Sequence, residues 1–133
     1  MKRRISAGII GMSIFIALLS GCDAVEEIFS SSNFEVRSCT PGENQKGVSP
    51  DASVEIAFND DVDRASVESN FTLTGNSGSV EGEFLWMTSR IVRFVPRYQL
   101  KRTERYVIQI DGDARSDGGR RMIVSFLSDF YVG

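Results

Sequence analysis

The chain has 133 residues, of which 41% are hydrophobic and 25% charged, with a formal net charge of −3 and no histidine. This length predicts one domain with a hydrophobic core of ordinary size. The absence of histidine excludes Ser-His-Asp and Cys-His catalytic centres, and two cysteines without histidine cannot build a structural zinc site. The acidic pI of about 5.0 argues against nucleic acid as a partner, because proteins that bind nucleic acid usually present a net basic face.

The first residues have the order that is typical of a secretory signal. Basic residues at positions 2–4 precede an apolar run, Ile9–Leu19, which is too short to cross a bilayer core of about 30 Å comfortably. The run ends in Leu19-Ser20-Gly21-Cys22. This ending resembles the lipobox of bacterial lipoproteins, which implies cleavage between Gly21 and Cys22 and attachment of diacylglycerol to the Cys22 thiol. The alternative is a plain N-terminal membrane helix with an incidental cysteine.

Cleavage at this point would change the charge of the protein and its location. The processed chain would carry 12 basic and 18 acidic residues, a net charge of −6. We expect a signal peptide at 1–21, a lipidated Cys22 with a tether at 22–33, and one domain at 34–133. The expected location is the bacterial cell envelope, held to a membrane by lipid. Asp23 favours the inner membrane under the enterobacterial sorting pattern, and the choice of membrane and side stays open.

From Phe34 onward, apolar and polar residues alternate with a period of two, which indicates strands that bury one face. Seven segments have this pattern: Phe34–Val36, Val54–Phe58, Phe71–Leu73, Val80–Trp86, Val92–Phe94, Tyr106–Ile110 and Met122–Phe126. Turn-forming residues separate them, and only Val62–Ser69 looks helical, with Asp63 as its N-cap. About seven antiparallel strands at this spacing predict an all-β sandwich.

The order of short motifs between Pro41 and Leu127 indicates which kind of β-sandwich the chain forms. Gly47-Val48-Ser49-Pro50 precedes a strand that ends in Phe58, and Val92–Pro96 ends in the pattern Phe-x-Pro. Further motifs follow in the same order: Phe71-Thr72-Leu73, then Leu100, Thr103 and Tyr106, then Asp117-Gly118 and Phe126. This succession resembles the SbsA-type bacterial immunoglobulin-like domain, which implies an Ig-like β-sandwich. We expect the Tyr106 ring in the core, with its hydroxyl bonded to backbone.

The acidic loop at 111–118 is the strongest candidate for a metal site. Asp111, Asp113 and Asp117 occupy the first, third and seventh places of an EF-hand-like series. Arg115 stands at the fifth place, and Met122 replaces the bidentate glutamate, so turn chemistry is the favoured interpretation and no metal is expected. A weaker hypothesis keeps calcium, with a second acidic segment joining the loop: Asn59, Asp60, Asp61 and Asp63.

Paired carboxylates raise the question of glycoside hydrolysis. Glu81 with Glu83, or Asp60 with Asp61, would supply the two acids that this chemistry needs. The two glutamates share a strand parity opposite to Phe84, which indicates a solvated face, and adjacent aspartates are common in turns. We therefore expect neither an enzyme nor a cofactor.

Basic residues cluster late in this acidic chain. A patch is predicted from five of them: Arg93, Arg97, Lys101, Arg102 and Arg105. Such a patch would suit anionic lipid headgroups, a glycan or an acidic protein partner. The favoured alternative is a solvated face whose charges balance acidic residues elsewhere.

Cys39 has no intrachain partner if Cys22 carries lipid. It is then buried, free or paired between molecules, and we expect a thiol buried in or beside the first strand.

The expected function is that of a membrane-anchored envelope lipoprotein whose Ig-like module has a non-catalytic, protein-interaction or structural role. An exposed final segment, Phe130-Tyr131, would serve strand addition or cap the core. The alternative is a lipoprotein that binds carbohydrate or peptidoglycan. That function needs exposed aromatic rings, for which the candidates are Trp86, Tyr98 and Tyr131.

Overall fold

The computed structural model describes residues 33–133. The predicted signal peptide, the cleavage site at Gly21 and Cys22, and the tether up to residue 32 lie outside the described residues. No helix within the described part is long and apolar enough to span a bilayer. The core is complete within residues 34–132, and no buried side-chain nitrogen or oxygen of the described residues lacks a hydrogen-bond partner.

Residues 33–133 form nine strands and one short helix, α1, at Arg64–Asn70. The strands are β1 Val36–Thr40, β2 Gln45–Val48, β3 Val54–Phe58, β4 Phe71–Gly75, β5 Gly78–Ser79, β6 Gly82–Trp86, β7 Ile91–Pro96, β8 Arg105–Ile110 and β9 Phe126–Val132. One sheet has the order β2-β9-β8-β4-β5, and the other has the order β1-β3-β7-β6. The two sheets form the all-β sandwich that the sequence predicted.

The alternating apolar residues of both sheets point inward and form one core. Val54, Ile56 and Phe58 of β3 are buried, while Glu55 and Ala57 between them are only partly covered. Phe34 and Phe58 stack with ring centroids 5.1 Å apart, so the core begins at the second described residue. Burial of such side chains supplies most of the free energy that holds a sandwich together.

Two strands were not predicted. β2 and β5 are short and lack a clear apolar alternation, because most of their side chains are exposed. β2 pairs in parallel with β9, so the expectation of antiparallel strands holds for the other pairs only. The predicted helix is present, and Asp63 caps it by accepting a hydrogen bond from the Ser66 backbone N–H at 3.3 Å.

The last strand lies later in the chain than predicted. Met122 is buried but belongs to a loop, and Val124 is exposed, so the strand begins at Phe126 and continues to Val132. The prediction of an exposed Phe130-Tyr131 segment available for strand addition was wrong. Phe130 is fully buried, and β9 is hydrogen-bonded to a strand on each side.

The two ends of the sandwich hold different parts of the chain. At the end that we call the proximal pole, the Asn59 side chain donates to the Asn33 carbonyl at 2.9 Å, so the N-terminal segment enters here. The Asp61 carbonyl accepts from the Asp117 N–H at 2.8 Å, which places the 111–123 loop at the same pole. The opposite, distal pole holds the 97–104 loop and Gly133, whose N–H donates to the Val48 carbonyl at 3.0 Å.

Candidate functional site

The 97–104 loop at the distal pole is held from three sides. The Leu100 N–H donates to the Pro50 carbonyl at 2.8 Å, and the Thr103 N–H donates to the Val132 carbonyl at 2.9 Å. The Lys101 N–H donates to the Tyr106 hydroxyl at 2.8 Å. The Tyr106 ring is buried, so the expected arrangement of a core ring with a backbone-bonded hydroxyl is confirmed. These contacts fix the loop on the sandwich.

Tyr98 projects from this loop and is 77% exposed. A cleft of about 280 Å³ opens on one side of it, toward the β4–β5 turn. A second cleft, of about 190 Å³, opens on the other side, toward Pro50 and Asp51. Tyr98 and Gln99 line both, so the two clefts are neighbouring concave surfaces at the distal pole.

Polar side chains at the rims of these clefts are held by neighbours. The Gln99 amide donates to Asp51 Oδ1 at 2.7 Å, and Lys101 Nζ donates to Ser77 Oγ at 2.9 Å. Glu104 lines the larger cleft and is only 8% exposed, and its Oε2 accepts from the Asn76 N–H at 2.6 Å. Sequence reasoning named Tyr98 but missed Asp51, Gln99 and Glu104, because the contacts that place them join residues far apart in the chain.

Two of the five residues of the predicted basic patch lie on strands, one in each sheet, and both face carboxylates. Arg93 of β7 lies 3.0 Å from Glu55 Oε1. Arg105 of β8 lies 2.7 Å from Asp129 Oδ2, and its hydrogen bond to that carboxylate raises the pKa of Arg105.

The other three residues of the patch lie at the distal pole. Arg97 lies 3.3 Å from Glu81 Oε1, Lys101 contacts Ser77, and Arg102 Nη1 donates to the Gly133 carbonyl at 2.8 Å. The structure therefore balances much of the positive charge, and binding of an acidic partner by these residues stays a prediction.

The two acidic segments meet at the proximal pole, but arginines bind their carboxylates. Asp61 lies 3.0 Å from Arg90 Nε, and Asp60 is bound by Arg120. Asp113 is bound by Arg121. Within residues 33–133, no group of three or more carboxylate, cysteine or histidine side chains is placed to hold a metal ion. The weaker hypothesis of calcium at Asp111, Asp113 and Asp117 gains no support from this geometry and stays a hypothesis.

The charges around these aspartates also oppose acid catalysis. A hydrogen bond from Arg120, with a second from the Asp61 N–H, lowers the pKa of Asp60. Hydrogen bonds from Arg90 and then from the Ser89 hydroxyl lower the pKa of Asp61. A general acid of a glycosidase needs a raised pKa, which is the opposite shift.

Cys39 lies in β1, where it is partly buried against the core and forms no disulfide within the described residues. Burial raises the pKa of its thiol to about 11. Because the thiolate is the reactive form, this environment keeps Cys39 unreactive near neutral pH. The expected position in the first strand is confirmed.

Ile123 holds a backbone conformation that β-branched residues rarely adopt. Its φ is 66°, and the Val124 N–H donates to the Met122 carbonyl at 2.6 Å, which closes a three-residue γ-turn. The side chain is 71% exposed, so little burial compensates for the strain.

We expect Ile123→Gly to raise the free energy of unfolding by about 0.5–1 kcal/mol. Glycine relieves a left-handed penalty of roughly 1–2 kcal/mol, partly offset by the extra freedom that it gives the unfolded chain. The measurement is urea unfolding at neutral pH. Val124→Gly is the matched control, because Val124 is equally exposed without a positive φ, and it should lower stability. If both substitutions change the free energy of unfolding equally, the backbone at Ile123 is not strained.

The three candidate aromatic residues do not form one strip. Trp86 of β6 is half-buried, and its Nε1 donates to Glu68 Oε2 at 2.7 Å. Tyr131 lies on β9 of the other sheet, with Lys46 Nζ 5.7 Å from its ring centroid. Tyr98 alone of the three stands free of the surface. Stacking of a ligand on aromatic rings therefore depends on Tyr98.

Comparison with known families agrees with this architecture. The bacterial Ig-like domain family matches residues 30–126, which is more than half of the chain. The chain belongs to this family. The match ends where β9 begins, although the strand continues to Val132 and buries Phe130. No curated protein matches the chain significantly.

Solved structures from two classes of protein resemble this Ig-like domain. The L,D-transpeptidase LdtMt1, solved in complex with imipenem, is 22% identical with a TM-score of 0.59 over 74% of this chain and 39% of that one. An L,D-transpeptidase from Mycobacterium smegmatis is 20% identical with a TM-score of 0.57, covering 75% of this chain and 40% of that one. Domains 1–6 of the surface layer protein SbsC are 13% identical with a TM-score of 0.61, covering 86% and 16%.

At these levels of sequence identity, the similarity shows a shared fold only. The chain spans about two fifths of the length of the transpeptidases and a smaller share of SbsC. The Ig-like domain family and these neighbours fit a structural or interaction module. The matched domain is itself non-catalytic.

Proposed function

We propose that this protein is a lipid-anchored module of the bacterial cell envelope, in which Cys22 carries the anchor and the Ig-like domain makes a non-catalytic contact with an envelope component. The observation that carries the proposal is the order of the parts. A lipobox-like Leu19-Ser20-Gly21-Cys22 is followed by a serine-rich segment and then by an Ig-like sandwich whose core starts at Phe34.

The geometry of the domain supports this role. The N-terminal segment joins the sandwich at the proximal pole, beside Asn59. The distal pole, with Tyr98 and its clefts, lies at the other end of the strands from Asn33. Acyl chains stabilise membrane attachment by about 0.8 kcal/mol per buried CH₂, so two or more chains hold such a protein firmly.

The anchor predicts a clear result in cells. We expect the full chain, made in a bacterium fed an alkyne-labelled palmitate, to incorporate label and to lose residues 1–21. Cys22→Ser should abolish both, since serine has no thiol to receive diacylglycerol. Labelling is read by fluorescence after click chemistry, and processing by intact mass.

The second cysteine provides the control for this experiment. Cys39→Ser should leave labelling and processing unchanged, because Cys39 packs within β1 and its thiol is not the attachment point. Label retained by Cys22→Ser, or absent from the unmodified chain, would overturn the anchor.

The contact with an envelope component is tested separately by crosslinking in native membranes. A photoactivated diazirine crosslinker inserts into C–H and O–H bonds and so captures proteins and glycans alike. With mass spectrometry, it should recover a defined protein or glycan fragment joined to the domain. Recovery of the domain alone would exclude a stable contact.

A further inference from the structure

We propose that the Tyr98 platform, defined as Tyr98 with the two clefts that it lines, binds an uncharged glycan chain whose sugar rings pack against the Tyr98 ring. This deepens the proposed function, since it names the chemical class of an envelope component that the module contacts. The platform is formed by residues of the 97–104 loop, the β4–β5 turn and the segment before β3.

The Tyr98 side chain suits a sugar because it is exposed and projects from a loop whose backbone is held on the sandwich. Its ring is 77% exposed, while Leu100, two residues later, is buried and hydrogen-bonded to Pro50. The faces of an aromatic ring carry negative potential, and the C–H groups of a pyranose carry positive potential, so the two surfaces attract when they stack. Because the backbone of the loop is already held, a ligand does not have to order the loop on binding.

Polar groups beside the ring are arranged to bind hydroxyls. Gln99 is oriented by Asp51, and Lys101 is oriented by Ser77, so donors and acceptors are fixed on both sides of Tyr98. Among the described residues, the Glu104 carboxylate accepts one hydrogen bond, from the Asn76 N–H. A carboxylate accepts about four hydrogen bonds. The buried Glu104 therefore keeps acceptor capacity in the larger cleft.

The size and charge of the clefts favour a short stretch of a neutral chain. Volumes of about 280 and 190 Å³ lie below the range of roughly 300–1,000 Å³ that accommodates drug-sized ligands, so each cleft fits about one ring. Three carboxylates, Asp51, Glu81 and Glu104, face two cations, Arg97 and Lys101, so an anionic ligand gains nothing here. Two clefts that share Tyr98 would place two successive sugar residues beside its ring.

The test uses the processed chain, residues 22–133 with Cys22→Ser, and two neutral probes, N-acetylchitotetraose and cellotetraose. We expect at least one probe to shift amide NMR signals of the 97–104 loop in titrations up to millimolar concentration. Tyr98→Ala should weaken binding about tenfold, because it removes the stacking surface, and Tyr98→Phe should stay within about twofold. Both substitutions lie on the surface and should leave the melting temperature unchanged within about 2 °C.

Controls separate the platform from nonspecific binding. Tyr131→Ala removes a tyrosine from β9 that lines neither cleft, and it should bind like the unmodified chain. Glu104→Gln keeps the acceptor for Asn76 and removes the charge, and it should weaken binding severalfold. Absence of shifts with both probes, or shifts outside the platform, would overturn the proposal.

An extended alanine-glycine hexapeptide is run in parallel. Peptide binding at the platform without saccharide binding would also overturn the proposal. The measurement needs no lipid, so failure of the anchor shows in the palmitate experiment while failure of glycan binding shows only here.

Discussion

Phe34→Ala is expected to lower the free energy of unfolding by about 3–5 kcal/mol, which is the usual cost of removing a buried phenylalanine. Phe34 is 0% exposed and stacks on Phe58, with centroids 5.1 Å apart. Alanine would leave a cavity between the first strand and β3 that the rigid sheet cannot close. Guanidinium unfolding of the processed chain, followed by tryptophan fluorescence, measures the loss.

The adjacent residue provides the control for this prediction. Glu35 is exposed, and its contacts with Asn59 use only its backbone, so Glu35→Ala should change stability by less than about 0.5 kcal/mol. A loss below 1 kcal/mol for Phe34→Ala would mean that the domain starts later than residue 34.

Gly82→Ala is expected to cost about 1–3 kcal/mol, although a methyl group added to a strand glycine usually stabilises it. A Cβ at this position would overlap the Val95 carbonyl oxygen and lie 2.7 Å from Phe94 Cζ and 2.9 Å from Pro96 Cα. Two of these atoms belong to the backbone of β7, which is paired with β3 on its other side and cannot retreat. Thermal unfolding by circular dichroism should show a clear drop in the melting temperature.

Gly118→Ala is the matched glycine substitution. A Cβ there would meet only Ser116 Oγ, at 3.9 Å, and the φ of Gly118 is not left-handed. We expect an unchanged or slightly higher melting temperature, because alanine reduces the freedom of the unfolded chain. Similar behaviour of the two variants would show that β6 and β7 approach each other less closely at Gly82.

The strands were predictable wherever one face is buried. Val54, Ile56 and Phe58 alternate in the sequence because they alternate between core and solvent in β3. β2 and β5 were missed because their pairing uses backbone hydrogen bonds, while their side chains remain mostly exposed. The last strand was misplaced because apolar residues at 122–124 continue the period of two, and the positive φ of Ile123 interrupts the extended backbone there.

The candidate site was only partly predictable. An exposed tyrosine in a loop is visible in the sequence, and so is the tyrosine corner that holds the loop. The clefts depend on contacts across 48 residues, between Gln99 and Asp51, and across 28 residues, between Asn76 and Glu104. In the sequence, the aspartates of the proximal pole resemble metal ligands. No local pattern reveals that their carboxylates bind Arg90 and Arg120, which lie 29 and 60 positions away.

The chain enters the sandwich beside Asn59 and reaches residue 133 at the opposite pole, beside Val48. A pull between these two positions therefore acts along the strands. β9 is joined to β8 through six residue pairs, and its hydrogen bonds run across the direction of such a pull. They would be sheared together and not opened one after another. Tension applied between the two poles would therefore meet the combined resistance of these hydrogen bonds.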